Sequence, residues 1–494
     1  MLGFEGYTFT PDTLEPLLEH VAELRNFISQ WSWLADMHIV DFFVEEHWNQ
    51  LPGPWRASFR DGWSDASDTT AVEQLVDLAV SNQLWPTATT ELHEFVARCH
   101  ALSLERRAKT DPTSSTPVVV PALDDRITLG MNPKKAVEVQ HLAYIIASLN
   151  KSQGIKLVAD IGAGQGYLSR TLAYQYGQTT IAMDSDQLQT CGAERQRQLT
   201  ERMVHHRGDH LSGSPASPMV SWTGQPVYLD HLTCLIDTDH LPDVHRQLSR
   251  TYHQLVHSPL DAQVPDTYLP PWTICGLHAC GQLSNVMLQW FVRSSARCLV
   301  NVGCCYNMLG FTQGLMSDVS TRFPISEYLS KKSARLSVNA LKLACQSPAR
   351  WANDTQTSIG NFERNFYRAL IHYMMVDQGL VKRDDPFPVL GRLPKSAFRD
   401  FQTYCQRAFQ RLGMSPLDSD LVQEYYDRFR PRAIQMAIVW TLKALLSPCI
   451  ESFIVLDRCL YLVEQGCHVS LVPLVDVTIS PRNLTIVATK PSVN

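Results

Sequence analysis

The feature that most constrains this chain is a strand, a glycine loop and a helix in immediate succession. Lys156–Ile161 reads as a buried strand, ends in Asp160-Ile161-Gly162-Ala163-Gly164-Gln165-Gly166, and runs straight into the helical pattern Tyr167–Tyr176. Glycines there let the backbone turn tightly and approach a ligand, and the N–H groups of a helix start favour an anionic group. The next strand, Thr179–Met183, is closed by Asp184, 18 positions after Gly166, where a carboxylate can accept hydrogen bonds from a ribose diol. The combination points to a cofactor that carries a nucleoside.

The spacing separates two kinds of nucleoside cofactor. A dinucleotide fingerprint, G-x-G-x-x-G, needs a third glycine at position 167, which is Tyr167. The pattern present is G-x-G-x-G with Asp160 two residues ahead, and it resembles motif I of class I S-adenosylmethionine-dependent methyltransferases. The resemblance implies that Asp160, Gly162, Ala163, Gly164 and Gly166 hold S-adenosyl-L-methionine. Asp184 serves the ribose. For the adenine side the candidate is Asp230, after the short strand Val227–Asp230, with Asp209 in Arg207-Gly208-Asp209 as the alternative.

The rest of the chain is consistent with such a fold. Helix and strand patterns alternate from Pro133 to Val302, which implies a parallel sheet with crossover helices. Strand signals return at Cys467–Leu474 and Leu484–Lys490, a closing hairpin that adds an antiparallel edge. The expected class is therefore α/β, a Rossmann-like mixed sheet of seven strands with an N-terminal helical region and a helical insertion. The expected segments are 1–129 (helical region and linker), 130–323 (first part of the sheet domain), 324–450 (insertion) and 451–494 (closing helix and hairpin). At 494 residues the chain has room for two to four units.

Composition excludes several classes. The net charge of -6 argues against a protein that coats nucleic acid nonspecifically. An odd number of cysteines, 13, and an N-terminus without an apolar signal core predict an intracellular protein of the cytoplasm or nucleus with free thiols. The most apolar stretch, Ala433–Val463, is interrupted by Lys443, Pro448, Glu451, Asp457 and Arg458, so it predicts buried helices and no membrane span. The oligomeric state is not legible.

Three further blocks make the chain recognisable: Met131-Asn132-Pro133-Lys134-Lys135 with Glu138, Gly276-Leu277-His278-Ala279-Cys280-Gly281, and Val302-Gly303-Cys304-Cys305-Tyr306. They resemble the methyltransferase-like protein 25 family, which has also been labelled as containing a ribosomal RNA adenine dimethylase domain, and similar blocks extend along nearly the full chain. The resemblance implies a class I methyltransferase fold and a methyl transfer reaction. Adenine dimethylases carry an Asn/Asp-Pro-Pro-aromatic tetrad directly after the fourth strand. This chain reads Gly276–Gly281 there, which argues against adenine dimethylation.

Ligands in a doubly wound sheet sit outside the carboxyl ends of the strands, so His278, Cys280, Cys304, Cys305 and Tyr306 are expected to line the acceptor side. His278 is the candidate base by its pKa of about 6.5. Lys134 and Lys135 are candidates for a carboxylate or phosphate contact, or a solvated helix face. His278 with the three cysteines is a legal zinc set by ligand type, but adjacent cysteines and H-x-C lack finger spacing, and no metal is expected. Similar His-x-Cys-Gly and double-cysteine blocks in a group of tRNA ribose methyltransferases make RNA the first expected acceptor, with protein second. The competing class is a non-catalytic cofactor-binding or scaffold protein that retains the fold.

Overall fold

The computed structural model describes residues 6–59, 69–81, 84–86, 88–106, 119–208, 221, 224, 226–256, 268–310, 322–353, 355–385, 387–388, 390 and 393–491. The chain divides into two compact units. One comprises Met1–Ala22, Glu105–Leu336 and Phe453–Asn494; the other comprises Glu23–Leu104 and Ser337–Ser452. The sequence blocks 1–129 and 324–450 thus each contribute to both.

The first unit is built on one sheet. Its strands are β1 (Tyr7–Phe9), β2 (Leu157–Ile161), β3 (Thr179–Asp184), β4 (Leu229–Thr233), β5 (Trp272–Cys280), β6 (Cys298–Cys304), β7 (His468–Pro473) and β8 (Leu484–Thr489). Their spatial order is β1-β7-β8-β6-β5-β2-β3-β4. The pairs β4·β3, β3·β2, β2·β5 and β5·β6 are parallel, whereas β8 runs antiparallel to both β6 and β7. Strand order reverses between β2 and β5, which opens the ligand crevice at their carboxyl ends.

The sheet has eight strands rather than the expected seven. The additional one is β1, which pairs antiparallel with β7 through Tyr7↔Leu471 and Phe9↔Val469. A three-residue strand carries too little alternation to stand out from sequence, and the pairing partner lies more than 450 residues away.

The helix Pro133–Gln153 begins as its residues dictate, with the Asn132 side chain accepting from Lys135 N–H and Pro133 in the first turn. It ends at Gly154 in the left-handed conformation. Its apolar face, including Leu142, Ile145, Ile146 and Leu149, packs with Val158 of β2, Cys275 of β5 and Val300 and Val302 of β6 in one core cluster. Each such side chain contributes roughly 1.5–3 kcal/mol by leaving water. The glycine loop is anchored on this layer.

The second unit is helical among its described residues. Trp31, Trp55 and Phe95 form one aromatic cluster, with ring centroids 4.8–5.0 Å apart. The stretch Ser419–Glu464 is long and apolar enough to cross a membrane by composition, yet 89% of its most apolar window is buried within the protein. Core helices satisfy the same criterion.

Candidate active site

The glycine loop leaves β2 and crosses over the end of β3. Gly162 N–H and Ala163 N–H both donate to the Met183 carbonyl, at 2.8 and 3.1 Å. Gly162, Gly164 and Gly166 all have positive φ, between +55° and +68°. A Cβ on Gly162 would also stand 3.1 Å from Leu283 Cδ2, so backbone conformation and available space both select glycine there.

Asp184 sits where the sequence puts it. Gly164 N–H donates to its Oδ2 and Asp186 N–H to its Oδ1, each at 2.9 Å. Two of its roughly four lone-pair sites are thereby used, and the others are available to a diol. Beside it, Leu188 is 80% exposed and Leu235, two residues past β4, is 51% exposed. A half-buried carboxylate that already receives the Gly164 N–H of the glycine loop and keeps free lone pairs suits a ribose diol.

Asp160 is placed differently. Its carboxylate is fully buried, accepting from Ser169 Oγ at 2.5 Å and from the Cys275 thiol at 3.8 Å. Burial pushes it up to about 7, against the opposing effect of these two donors. Asp160 therefore braces the loop from behind instead of facing a ligand. Asp230 is also removed from the rim. It pairs with Ile181, three residues before the Asp184↔Thr233 pair that ends the β3·β4 ladder. The strand begins at Leu229 rather than Val227, and that shift withdraws the acid from the carboxyl edge. Asp209 lies outside the described residues.

At the ends of β5 and β6 the structure brings together His278, Cys280, Cys304 and Cys305 of the five residues expected there. His278 has φ +66° and sits at a bulge between Leu277 and Ala279. Its Nε2 donates to Glu138 Oε2 at 3.0 Å. Glu138 is 1% exposed and accepts a second hydrogen bond from Ser480 Oγ at 2.6 Å. Burial raises its pKa, but the hydrogen bond and charge of His278, then Ser480 and Lys135, outweigh it and hold the carboxyl at about 2. Because the carboxylate is ionised, Nε2 carries a proton, and in the neutral form of the ring Nδ1 is the acceptor.

The three thiols converge. Sγ of Cys280 lies 3.1 Å from that of Cys304 and 3.3 Å from that of Cys305, which are 3.5 Å from each other. Hydrogen bonding with Cys304 is the main influence drawing the Cys280 thiol down to about 6; burial opposes it, while Cys305, His278 and Lys135 assist. The Cys304 thiol moves the opposite way, raised by the same hydrogen bond and by burial. Tyr306 does not join them. It is 1% exposed, with the Arg458 and Arg482 guanidiniums 5.6 and 5.5 Å from its ring centroid. Lys134 and Lys135 pair with Glu138 at 3.2 and 3.5 Å.

Residues 134–310, which carry both halves of this rim, match a family described as "Methyltransferase domain". The chain carries a methyltransferase domain. It is 26% identical to Probable methyltransferase-like protein 25 of Homo sapiens and 24% identical to that of Mus musculus, over 97% of this chain and 98% of each relative. The resemblance carried by the sequence blocks thus holds along the whole chain. The fold is the Rossmann-like class I type, and a methyltransferase domain implies a methyl donor of the S-adenosylmethionine type in general.

Two residues that the sequence singles out support this rim through partners it does not assign. Glu138 occupies the buried stripe of its helix, one turn before Leu142, and a lone carboxylate in an apolar stripe is a signal of a buried partner. Arg458 is fully buried, donates from Nε to Asn285 Oδ1 at 2.8 Å and from Nη2 to the Gly281 carbonyl at 3.4 Å, and so holds the turn after Cys280. It also passes beneath Gly303, where a Cβ would stand 2.4 Å from Arg458 Nη1. The Asp457-Arg458 pair interrupting an otherwise apolar run was its sequence signal.

Proposed function

We propose that this protein is an intracellular S-adenosylmethionine-dependent methyltransferase that methylates a hydroxyl group of RNA. The observation that carries the reading is one rim holding two complementary halves: Asp184 with the glycine loop at the ends of β2 and β3, and the Glu138–His278 pair at the end of β5. When bound, S-adenosylmethionine supplies a methyl group already activated by its sulfonium. The protein then has to align the acceptor and remove its proton. A hydroxyl starts protonated and calls for a base. His278 Nδ1 would take that proton as the oxygen gains the methyl and the C–S bond breaks to leave a neutral thioether, Glu138 would stabilise the resulting imidazolium, and the proton would pass to solvent.

RNA is favoured over protein by a cavity of the helical unit of about 560 Å³. Its lining includes Lys342, Arg364 and Arg368 together with Trp351 and Trp440, and no carboxylate among the described lining residues. Cations with aromatic platforms suit phosphates and unstacked bases. All 13 cysteines are free, which suits a reducing compartment, cytoplasm or nucleus.

The test is calorimetric titration with S-adenosylmethionine, followed by transfer of tritiated methyl into total RNA and total protein, with Asp184→Ala as control. The expected result is binding, and nuclease-sensitive label that the control lacks. Label confined to protein moves the acceptor to protein; binding without label in either fraction returns the scaffold alternative.

A further inference from the structure

We propose that Cys280, Cys304 and Cys305 form a zinc site at the rim, with three protein thiolates and an open fourth position. The three sulfurs lie 3.1–3.5 Å apart. Zinc–thiolate bonds of about 2.3 Å in a tetrahedral arrangement set sulfur–sulfur separations of about 3.8 Å, so the cluster needs to open by about 0.3–0.7 Å. It is far from the roughly 2.05 Å of a disulfide.

The objection raised by sequence, that neighbouring cysteines rarely reach one centre, is removed by the backbone. Cys280 and Cys304 are the paired last residues of β5 and β6. Cys305 follows with φ +51°. A residue in extended conformation would send its side chain to the opposite face of the sheet; the left-handed turn returns the Cys305 thiol to the side of its neighbour. A non-glycine residue in that conformation is strained, and here it completes the set of three. Cys304 is buried, Cys305 partly buried and Cys280 exposed, so the cluster is anchored on one side and open on the other.

His278 is not counted as a ligand, because the side-chain atoms that lie within 4.8 Å of one another are the three sulfurs and include neither of its ring nitrogens. Three protein ligands with an accessible fourth position is the pattern of zinc sites that accept water or a substrate atom, whereas structural sites are closed by four. Thiolates also exclude the hard cations, magnesium and calcium, as occupants. The proposal does not depend on the methyl-transfer reading.

The experiment is elemental analysis of tag-free full chain, purified without chelators, together with cobalt substitution of the same protein. The expected result is one zinc per chain and, with cobalt, the thiolate-to-metal charge-transfer absorption of a tetrahedral site. Cys280→Ser and Cys305→Ser should each lose the stoichiometric zinc while circular dichroism remains that of the wild type. If the variants do not fold, the cobalt spectrum of the wild-type protein decides. The proposal is overturned if the protein stays zinc-free after dialysis against zinc with all three thiols reactive. It is equally overturned by a Cys280–Cys304 disulfide in non-reduced mass spectrometry, or by stoichiometric copper that zinc does not displace.

Discussion

Replacing Asp160 by Asn should stabilise the protein, and more so at pH 8 than at pH 5. The folded carboxyl titrates at about 7 against 3.8 for an ordinary aspartate. Between those values the unfolded chain has released the proton while the folded chain keeps it, so the wild type loses stability as pH rises through that window. At pH 5 the cost to the wild type is about 2 kcal/mol; at pH 8 it is about 4 kcal/mol. Asn does not ionise and escapes both costs. It retains an acceptor for Ser169 Oγ and forfeits about 1 kcal/mol of hydrogen bonding at either pH. The net gain is then roughly 1 kcal/mol at pH 5 and 3 kcal/mol at pH 8. Scanning calorimetry of both proteins at the two pH values checks it. At roughly 1–2 °C per kcal/mol for a chain of 494 residues, the advantage of Asp160→Asn in Tm should widen by about 2–5 °C. A Tm difference that is the same at both pH values, or an Asn variant less stable at pH 8, would refute the assignment of a carboxyl sealed behind the loop.

Three further outcomes follow from the geometry. Gly164→Ala meets open space apart from Gln189 Oε1 at 3.9 Å but must hold φ +55°; stability should fall by about 1 kcal/mol, while calorimetric affinity for S-adenosylmethionine drops at least tenfold. Glu138→Gln removes the charge that orients His278, so kcat should fall by roughly 10²–10⁴ with the KM for the methyl donor unchanged, as read by methyl transfer kinetics. In the helical unit, Lys443 bonds the Met37 carbonyl, and burial pushes its pKa down to about 8 from 10.5. The unfolded chain binds the extra proton between those values, so wild-type stability rises with pH there. The stability of Lys443→Met relative to wild type should therefore decline by roughly 2 kcal/mol from pH 7 to pH 9.5 in urea titrations.

What was legible in the sequence is what depends on local chemistry. The glycine loop and Asp184 follow from neighbouring residues, and β2, β3, β6, β7 and β8 from continuous apolar runs, each observed within one or two residues of expectation. What was not legible depends on partners. Whether Asp160 faces a ligand or Ser169 is decided by which side of β2 the loop helix covers. Asp230 misses the rim because the ladder β3·β4, not the composition of β4, fixes where that strand ends. Tyr306 is enclosed by two guanidiniums contributed from more than 150 residues downstream. Glu138 reads as a helix face until His278 and Ser480, from distant segments, arrive at its two oxygens.

The bulge at His278 organises the acceptor half of the rim through register alone. Up to Leu277↔Val302 the β5·β6 ladder is regular; after the bulge it resumes as Ala279↔Gly303 and Cys280↔Cys304. In an unbroken register His278 would stand opposite Gly303 and Ala279 opposite Cys304, so Cys280 would lie one position beyond its present partner. The inserted residue has two further effects. Its left-handed backbone turns the imidazole to Glu138, and its carbonyl accepts from Cys304 Sγ at 3.3 Å. A bulge leaves one residue out of the ladder and re-aims its side chain, and here the residue left out is the candidate base. The strain of a non-glycine residue at φ +66° is of order 1–3 kcal/mol. It is sustained because Glu138, Cys304 and the Arg458 contact to Gly281 hold the segment from three sides.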